Sequence, residues 1–318
     1  LIAMSLAAAL AGCAVGPDYT RPAAATALPE AFSATAPEAR GEAVGNAWWT
    51  LFGDIRLNQL VDQALANSPD AVSAAARVEE ADAILRQVDA ALLPQVDANA
   101  GATRSRSSQT TAVPIPATAA IVRNSTKLNL STSFELDLWG KLRRASEAAR
   151  AQALGTRYAR DTVALTLAGS VTQAYLNLRA LAAQILVNSE SISSQARSAQ
   201  LTRIRFEGGI ASQLDVQQAE GSLATLTAAQ VELEKARGLS ENLLGLLVGQ
   251  PGLKLAAGDL RSLPIPPVPP AGLPSALLEA RPDLRQAETD LIAANAKNGV
   301  AKAALYPSIT LTGTFGRE

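Results

Sequence analysis

Ser68-Pro69-Asp70 … Ala90-Ala91-Leu92-Leu93-Pro94-Gln95-Val96-Asp97-Ala98 is written into this chain twice. The second copy reads Arg281-Pro282-Asp283 … Ala303-Ala304-Leu305-Tyr306-Pro307-Ser308-Ile309-Thr310-Leu311. The register is gapless, because Pro69 to Pro282 and Pro94 to Pro307 are both steps of 213. Asp70, Ala74, Ala81, Ala83, Ala90, Ala91 and Leu92 recur identically at that offset. A repeat this long is a duplicated structural half, not a short solenoid unit. Each copy predicts a helix that stops at a proline and turns into an alternating strand. The chain starts at Leu1 and stops at Glu318, just after the first strand of the second copy, so a fragment cut at both ends is expected.

Composition narrows the function. Hydrophobic residues make up 48% of the chain but aromatics only 4%, so alanine and leucine carry the apolar content, as in long, closely packed helices. A net charge of -1 gives no electrostatic case for a nucleic-acid partner. Histidine is absent and Cys13 is the single cysteine. An intrachain disulfide, His-based metal sites, Ser-His or Cys-His nucleophiles and Cys-rich zinc sites are thereby excluded. Carboxylate chemistry survives, but no paired acids stand at a convincing spacing. We expect no enzyme and no cofactor beyond a covalent lipid.

That lipid belongs to the N-terminus. Leu1 to Leu10 is an uncharged apolar run, too short for a stable span. It reads as the h-region of a secretory signal without its positive n-region. Leu10-Ala11-Gly12-Cys13 follows and resembles the bacterial lipobox, whose cysteine receives the lipid. The alternative is a small-residue signal site with an incidental buried cysteine. Acyl chains contribute about 0.8 kcal/mol per buried methylene, so several make a firm anchor. Alanine at position 14, where aspartate would retain a lipoprotein in the inner membrane, implies transfer to the outer one.

From Gly16 to Gly45 the chain is rich in Pro, Ala and Thr and predicts an extended tether over the body. Trp48-Trp49 reads as a pair of packing anchors before a helix near Leu57 to Asn67. Ser68 can cap the next helix, with Pro69 at its first position, running to about Leu93.

Two stretches alternate with period two. Val96, Ala98, Ala100 and Ala102 oppose Asp97, Asn99, Gly101 and Thr103. After a loop expected over 107–124, Leu128, Leu130, Phe134, Leu136 and Leu138 oppose Lys127, Asn129, Ser131, Ser133, Glu135 and Asp137, and Trp139 closes the run. One apolar and one polar face at this length match a tilted membrane β-strand. A soluble sandwich strand alternates in the same way. The long connecting loop favours the membrane reading. Ile309, Leu311 and Phe315 repeat the pattern in the second copy.

From Lys141 to Phe206 no proline interrupts the chain, which predicts a helix of about 100 Å at 1.5 Å per residue. Leu167, Val171, Ala174, Leu178, Leu181 and Ile185 space as a coiled-coil seam. Gly208-Gly209 breaks it, and Ser212 with Asp215 restarts a helix as a capping pair to about Val248. Gly249 to Pro274 is a Pro/Gly-rich connection.

Five motifs occur in one order: the lipobox, Gly16-Pro17-Asp18-Tyr19-Thr20-Arg21-Pro22, Trp48-Trp49-Thr50-Leu51-Phe52-Gly53-Asp54, Asp137-Leu138-Trp139-Gly140-Lys141, and Arg205-Phe206-Glu207-Gly208-Gly209-Ile210-Ala211-Ser212-Gln213-Leu214-Asp215-Val216. Together the chain resembles the outer-membrane lipoproteins of resistance–nodulation–division (RND) efflux systems, of the NodT type, which are TolC-like channels. The resemblance implies a mainly α fold with membrane β. Long antiparallel coiled-coil helices form a trimeric α-barrel, and the strands contribute to a shared twelve-stranded β-barrel. It divides the chain into a partial signal peptide (1–12), a lipidated tether (13–53), a first repeat (54–249), a Pro-rich linker (250–272) and the start of a second repeat (273–318). It implies a homotrimer in the bacterial outer membrane, lipid-anchored, with a periplasmic tunnel. Its partners are outer-membrane lipid, a periplasmic adaptor and an inner-membrane RND pump. Arg205, Gly208, Gly209 and Ser212 become adaptor-contacting candidates, Asp215 a gate candidate, and Lys127 to Asp137 on the polar side a lumen-facing row. The expected function is a passive exit duct for drugs or other small solutes. A TolC-like channel for type I protein secretion and a structural periplasmic coiled-coil lipoprotein are the alternatives.

Overall fold

The computed structural model describes residues 14–22, 45, 47–108, 120–256, 258, 260–266 and 280–317. Among them the order is a short 3-10 turn Trp48–Phe52, α1 (Ile55–Asn67), α2 (Pro69–Ala90), β1 (Gln95–Arg106), β2 (Val122–Leu136), α3 (Lys141–Glu207), α4 (Gln213–Val248), α5 (Pro282–Ala303) and β3 (Ile309–Arg317). No described helix is long and apolar enough to cross a membrane.

The repeat survives folding residue by residue. Both α2 and α5 are 22 residues long and start on proline, whose missing N–H is no loss in a first turn. Both end in the same tightened turn. Leu92 N donates to Asp89 O at 3.1 Å and Leu93 N to Ala90 O at 3.0 Å; Leu305 N donates to Lys302 O at 3.2 Å and Tyr306 N to Ala303 O at 3.1 Å. The strands that follow, β1 and β3, flank β2, each antiparallel to it.

Contacts divide the chain into two units, each gathering stretches that are discontinuous in sequence. One holds Leu1–Ala23, Val78–Arg157 and Arg285–Glu318; the other holds Ala24–Arg77 and Tyr158–Leu284.

In the first unit the early turns of α3 pack against α2 and α5 through small residues. Ala148, Ala149, Ala151 and Ala153 are buried there, as are Ala293, Ala296 and Ala303 of α5. A Cβ added at Gly155 would come within 2.8 Å of Thr289 Oγ1, so the helices approach as closely as glycine permits. The described start of the tether lies on the same helices. Val15 N donates to Trp139 O at 3.0 Å, Asn295 Nδ2 to Pro17 O at 2.8 Å, and the buried Arg144 guanidinium to Asp18 at 2.6 Å. Residues 23–44 of the expected tether lie outside the described residues.

The second unit has the main apolar core. Leu57, Leu60, Val61 and Ala64 of α1 meet Leu167, Val171, Ala174, Tyr175 and Leu178 of α3 and Leu244 and Val248 of α4. Trp49 and Phe52 pack against this cluster as anchors. Asp54 caps α1 through Arg56 N at 2.8 Å and accepts the Tyr175 hydroxyl at 2.6 Å. Burial, and then this carboxylate, push the Tyr175 hydroxyl up to about 12.

Strand ends differ from expectation. β2 begins at Val122, inside the stretch expected as loop, and ends at Leu136. Asp137 and Leu138 are therefore not strand residues. Asp137 accepts from Leu142 N at 3.0 Å and Arg143 N at 2.9 Å. The orphan donors of the α3 first turn claim its carboxylate, which the strand pattern alone cannot foresee. Trp139, beside Gly140 at φ 77, stacks on Tyr306 at 4.8 Å and donates its Nε1 to Pro307 O at 2.9 Å.

Candidate functional site

Three features were expected to carry function, and the structure describes two of them. Cys13 lies outside the described residues.

The sheet register sorts side chains by face. Ala98 pairs Leu130, which pairs Phe315; Ala100 pairs Leu128; Phe134 pairs Leu311; Leu136 pairs Ile309. These apolar residues share one side. Their surface is open: Leu130 is 49%, Leu128 64% and Phe315 83% exposed, so among the described residues nothing covers the middle of the sheet's apolar side. The other side carries Lys127, Asn129, Ser131, Ser133 and Glu135, with Asp97 opposite Ser131 and Thr310 opposite Glu135. Glu135 is tied to Lys141 at the start of α3 by a 2.9 Å ion pair. Asp137 leaves this row for its capping role.

The tip between α3 and α4 is built from backbone bonds. Gly209 N donates to Phe206 O at 2.9 Å and Ile210 N to Arg205 O at 2.8 Å, the paired bonds of a Schellman ending. That ending needs one left-handed residue, and Gly209 supplies it at φ 76. Gly208, read with Gly209 as the break in the helix, is not at positive φ. Two residues on, Ser212 caps α4. Asp215 N donates to Ser212 Oγ at 3.2 Å, while Asp215 Oδ2 accepts Ser212 N at 2.8 Å and Ser212 Oγ at 2.7 Å. The backbone donor, then the hydroxyl, hold the Asp215 carboxyl below the usual carboxylate range. A depressed folded-state value means that the box is complete above the ordinary carboxylate pKa and is lost as pH falls through the folded one. Arg205 sits in the last turn of α3, where a cation complements the helix end.

Sequence reasoning missed two things at and below this tip. Ile210 is 82% and Leu214 64% exposed, an apolar crest beside the polar residues it named. The coiled-coil seam also continues beyond Ile185 with polar members. Asn188 Nδ2 donates to Leu226 O at 3.1 Å and Gln230 Oε1 at 2.9 Å, and Gln195 Nε2 to Ala219 O at 3.2 Å. Extending the 3-4 spacing past Ile185 reaches Asn188 and Gln195, and polar residues at such positions set register. Arg203 and Glu220 form an ion pair nearer the tip.

Among the described residues no cluster of acids or cysteine could hold a metal ion.

Comparison with known proteins follows the same pattern. The family model for outer membrane efflux proteins matches residues 60–250 and 273–318. The cation efflux system protein CusC of Escherichia coli O6:H1 is 33% identical over 317 residues, covering 98% of this chain and 66% of CusC. The toluene efflux pump outer membrane protein TtgF of Pseudomonas putida is 33% identical over 330 residues, covering 99% of this chain and 67% of TtgF. Among solved structures, the outer-membrane channel OprN superposes with a TM-score of 0.82 at 32% identity, over 96% of this chain and 68% of that one. The chain thus spans about two thirds of the length of the relatives it matches.

Proposed function

The chain belongs to the outer membrane efflux protein family, and on that premise we propose that it is the outer-membrane channel component of a tripartite efflux pump. It is a passive exit duct for drugs or other small solutes, driven by an inner-membrane RND pump through a periplasmic adaptor. The observation that carries this reading is the sheet: three strands in register, apolar on one open side and polar on the other. The three described strands do not close a barrel by themselves, and an open edge in lipid leaves backbone groups unsatisfied at several kcal/mol each. Closure by further copies, as a homotrimer, removes those edges. The polar row of Lys127, Asn129, Ser131, Ser133 and Glu135 then wets the lumen, and the long helices line a periplasmic tunnel. Cargo does not follow from overall similarity, since relatives named for cations and for toluene stand at the same 33% identity.

The test is conductance of the full-length protein in planar bilayers. Discrete ohmic steps are expected; a correctly assembled protein that never conducts would sink the channel reading and favour a scaffold. At the tip, Arg205, Gly208, Gly209 and Ser212 contact the adaptor, and Asp215 contributes to the closed gate through polar contacts with a neighbouring tip. Asp215→Ala is expected to raise resting conductance. Unchanged conductance in an intact assembly would leave Asp215 as a capping acid alone.

Cys13 carries the lipid. Mass spectrometry of membrane-extracted protein is expected to find a mature chain beginning at an acylated Cys13. A free thiol there, or a different mature start, would refute the anchor.

A further inference from the structure

Between Asp97 and Glu135 the β1–β2 hairpin is charged on one sign only. From Ala98 to Phe134 the sequence has no Asp or Glu, yet it contains Arg104, Arg106, Arg123 and Lys127. Carboxylates of the sheet lie toward its other end, at Asp97 and Glu135, where α2, α3 and α5 join the strands. The register separates the arginines by face. Arg104 and Arg106 continue the apolar side, opposite Asn124 and Val122; Arg123, opposite Ser105, lies on the polar side. The ladder runs in order past them, with Ser107 N donating to Ile121 O at 2.9 Å.

Position along the strand matters as much as charge. On the apolar side the rows run from Leu136–Ile309 to Thr126–Ala102, and the next two hold Arg104 and Arg106. Leu136 to Thr126 is about 34 Å of strand, or about 26 Å of height at a tilt near 40°, the height of a lipid-facing apolar band. The two arginines therefore begin where hydrocarbon ends, on the side that faces lipid, at the end remote from the helices. Arg317, on the same side opposite Leu128, sits lower and has a long stem to extend toward that level. Guanidinium groups bind phosphate with two parallel hydrogen bonds, and no acid stands between Ala98 and Phe134 to compete for them.

The geometry points to a docking site for a phosphate-bearing lipid headgroup of the membrane leaflet remote from the helices, held by Arg104 and Arg106. This inference rests on the reading of the sheet as part of a membrane barrel. Phosphate binding presses the hairpin end against the headgroup layer and sets how deep the strands sit.

The probe is a diphosphorylated, acylated glucosamine disaccharide, titrated into the full-length protein in phosphatidylcholine nanodiscs, beside the same lipid without phosphates. Each basic residue near an anionic surface contributes enough for about fivefold, so Arg104→Gln with Arg106→Gln is expected to weaken binding roughly 25-fold. Arg104→Lys with Arg106→Lys, which keeps the charge but loses the paired bonds, is expected to fall between the parent and the double glutamine variant, and Arg123→Gln to stay within about twofold of the parent, because it faces away from lipid. Equal binding by the parent and the double glutamine variant, or no preference for the phosphorylated lipid, overturns the site. A spin label at Leu128 separates the two ideas. Lipid exposure there with no phosphate preference removes the site and keeps the barrel; water exposure there removes both.

Discussion

Arginine in place of Leu130 is expected to destabilise the inserted full-length protein by about 2–4 kcal/mol where the residue lies near the membrane midplane. Leu130 stands in the row Ala98–Leu130–Phe315, flanked along β2 by Leu128 and Thr132 on the same side. A guanidinium there must either leave water or pull water and headgroups inward, and both cost free energy. The neighbouring change Ser131→Arg is expected to be mild. Ser131 stands opposite Asp97, on the polar side, where an added cation meets a carboxylate and solvent. Denaturant titration of folding into lipid vesicles measures both variants. Equal penalties at 130 and 131 would mean that the two faces of β2 see the same medium, which a barrel wall does not allow.

The second large effect belongs to the helical core. Leu60→Ala is expected to cost about 2–5 kcal/mol, because deletion removes buried methyl groups and leaves a cavity that rigid helices cannot fill. Leu60 is 0% exposed and belongs to the cluster that joins α1 to Val171 and Leu178 of α3 and Leu244 of α4. Ile55, at the start of the same helix, is 75% exposed. Ile55→Ala is therefore expected to stay within about 0.5 kcal/mol of the parent. Thermal unfolding of the detergent-solubilised protein compares them. A Leu60→Ala protein as stable as the Ile55→Ala one would show that α1 is not held by this core.

Much of the candidate site was legible before folding because it depends on neighbours in sequence. Glycine at 209 and the Ser212–Asp215 pair act over a few residues, so the turn between α3 and α4 could be read directly, and both bonds of the capping box are present. The polar and apolar sides of β2 follow from period two in the same way. Cross-chain choices were not legible. Asp137 alternates correctly for a strand, but the free N–H groups of α3 capture it. Asn188 and Gln195 show no partner in a one-dimensional pattern; the antiparallel pairing of α3 with α4 brings them to Gln230 and Ala219.

The sequence by itself determined the duplicated helix–strand unit, the elements' periods and the local signals that start and stop them, since helix caps, glycine turns and strand alternation are energies of residues a few positions apart. Only the tertiary structure decided that β1 and β3 flank β2 and that Arg144 holds Asp18. Those outcomes join residues up to hundreds of positions apart. Their free energy comes from close packing of small side chains and from backbone pairing, which exist only once the chain has closed on itself.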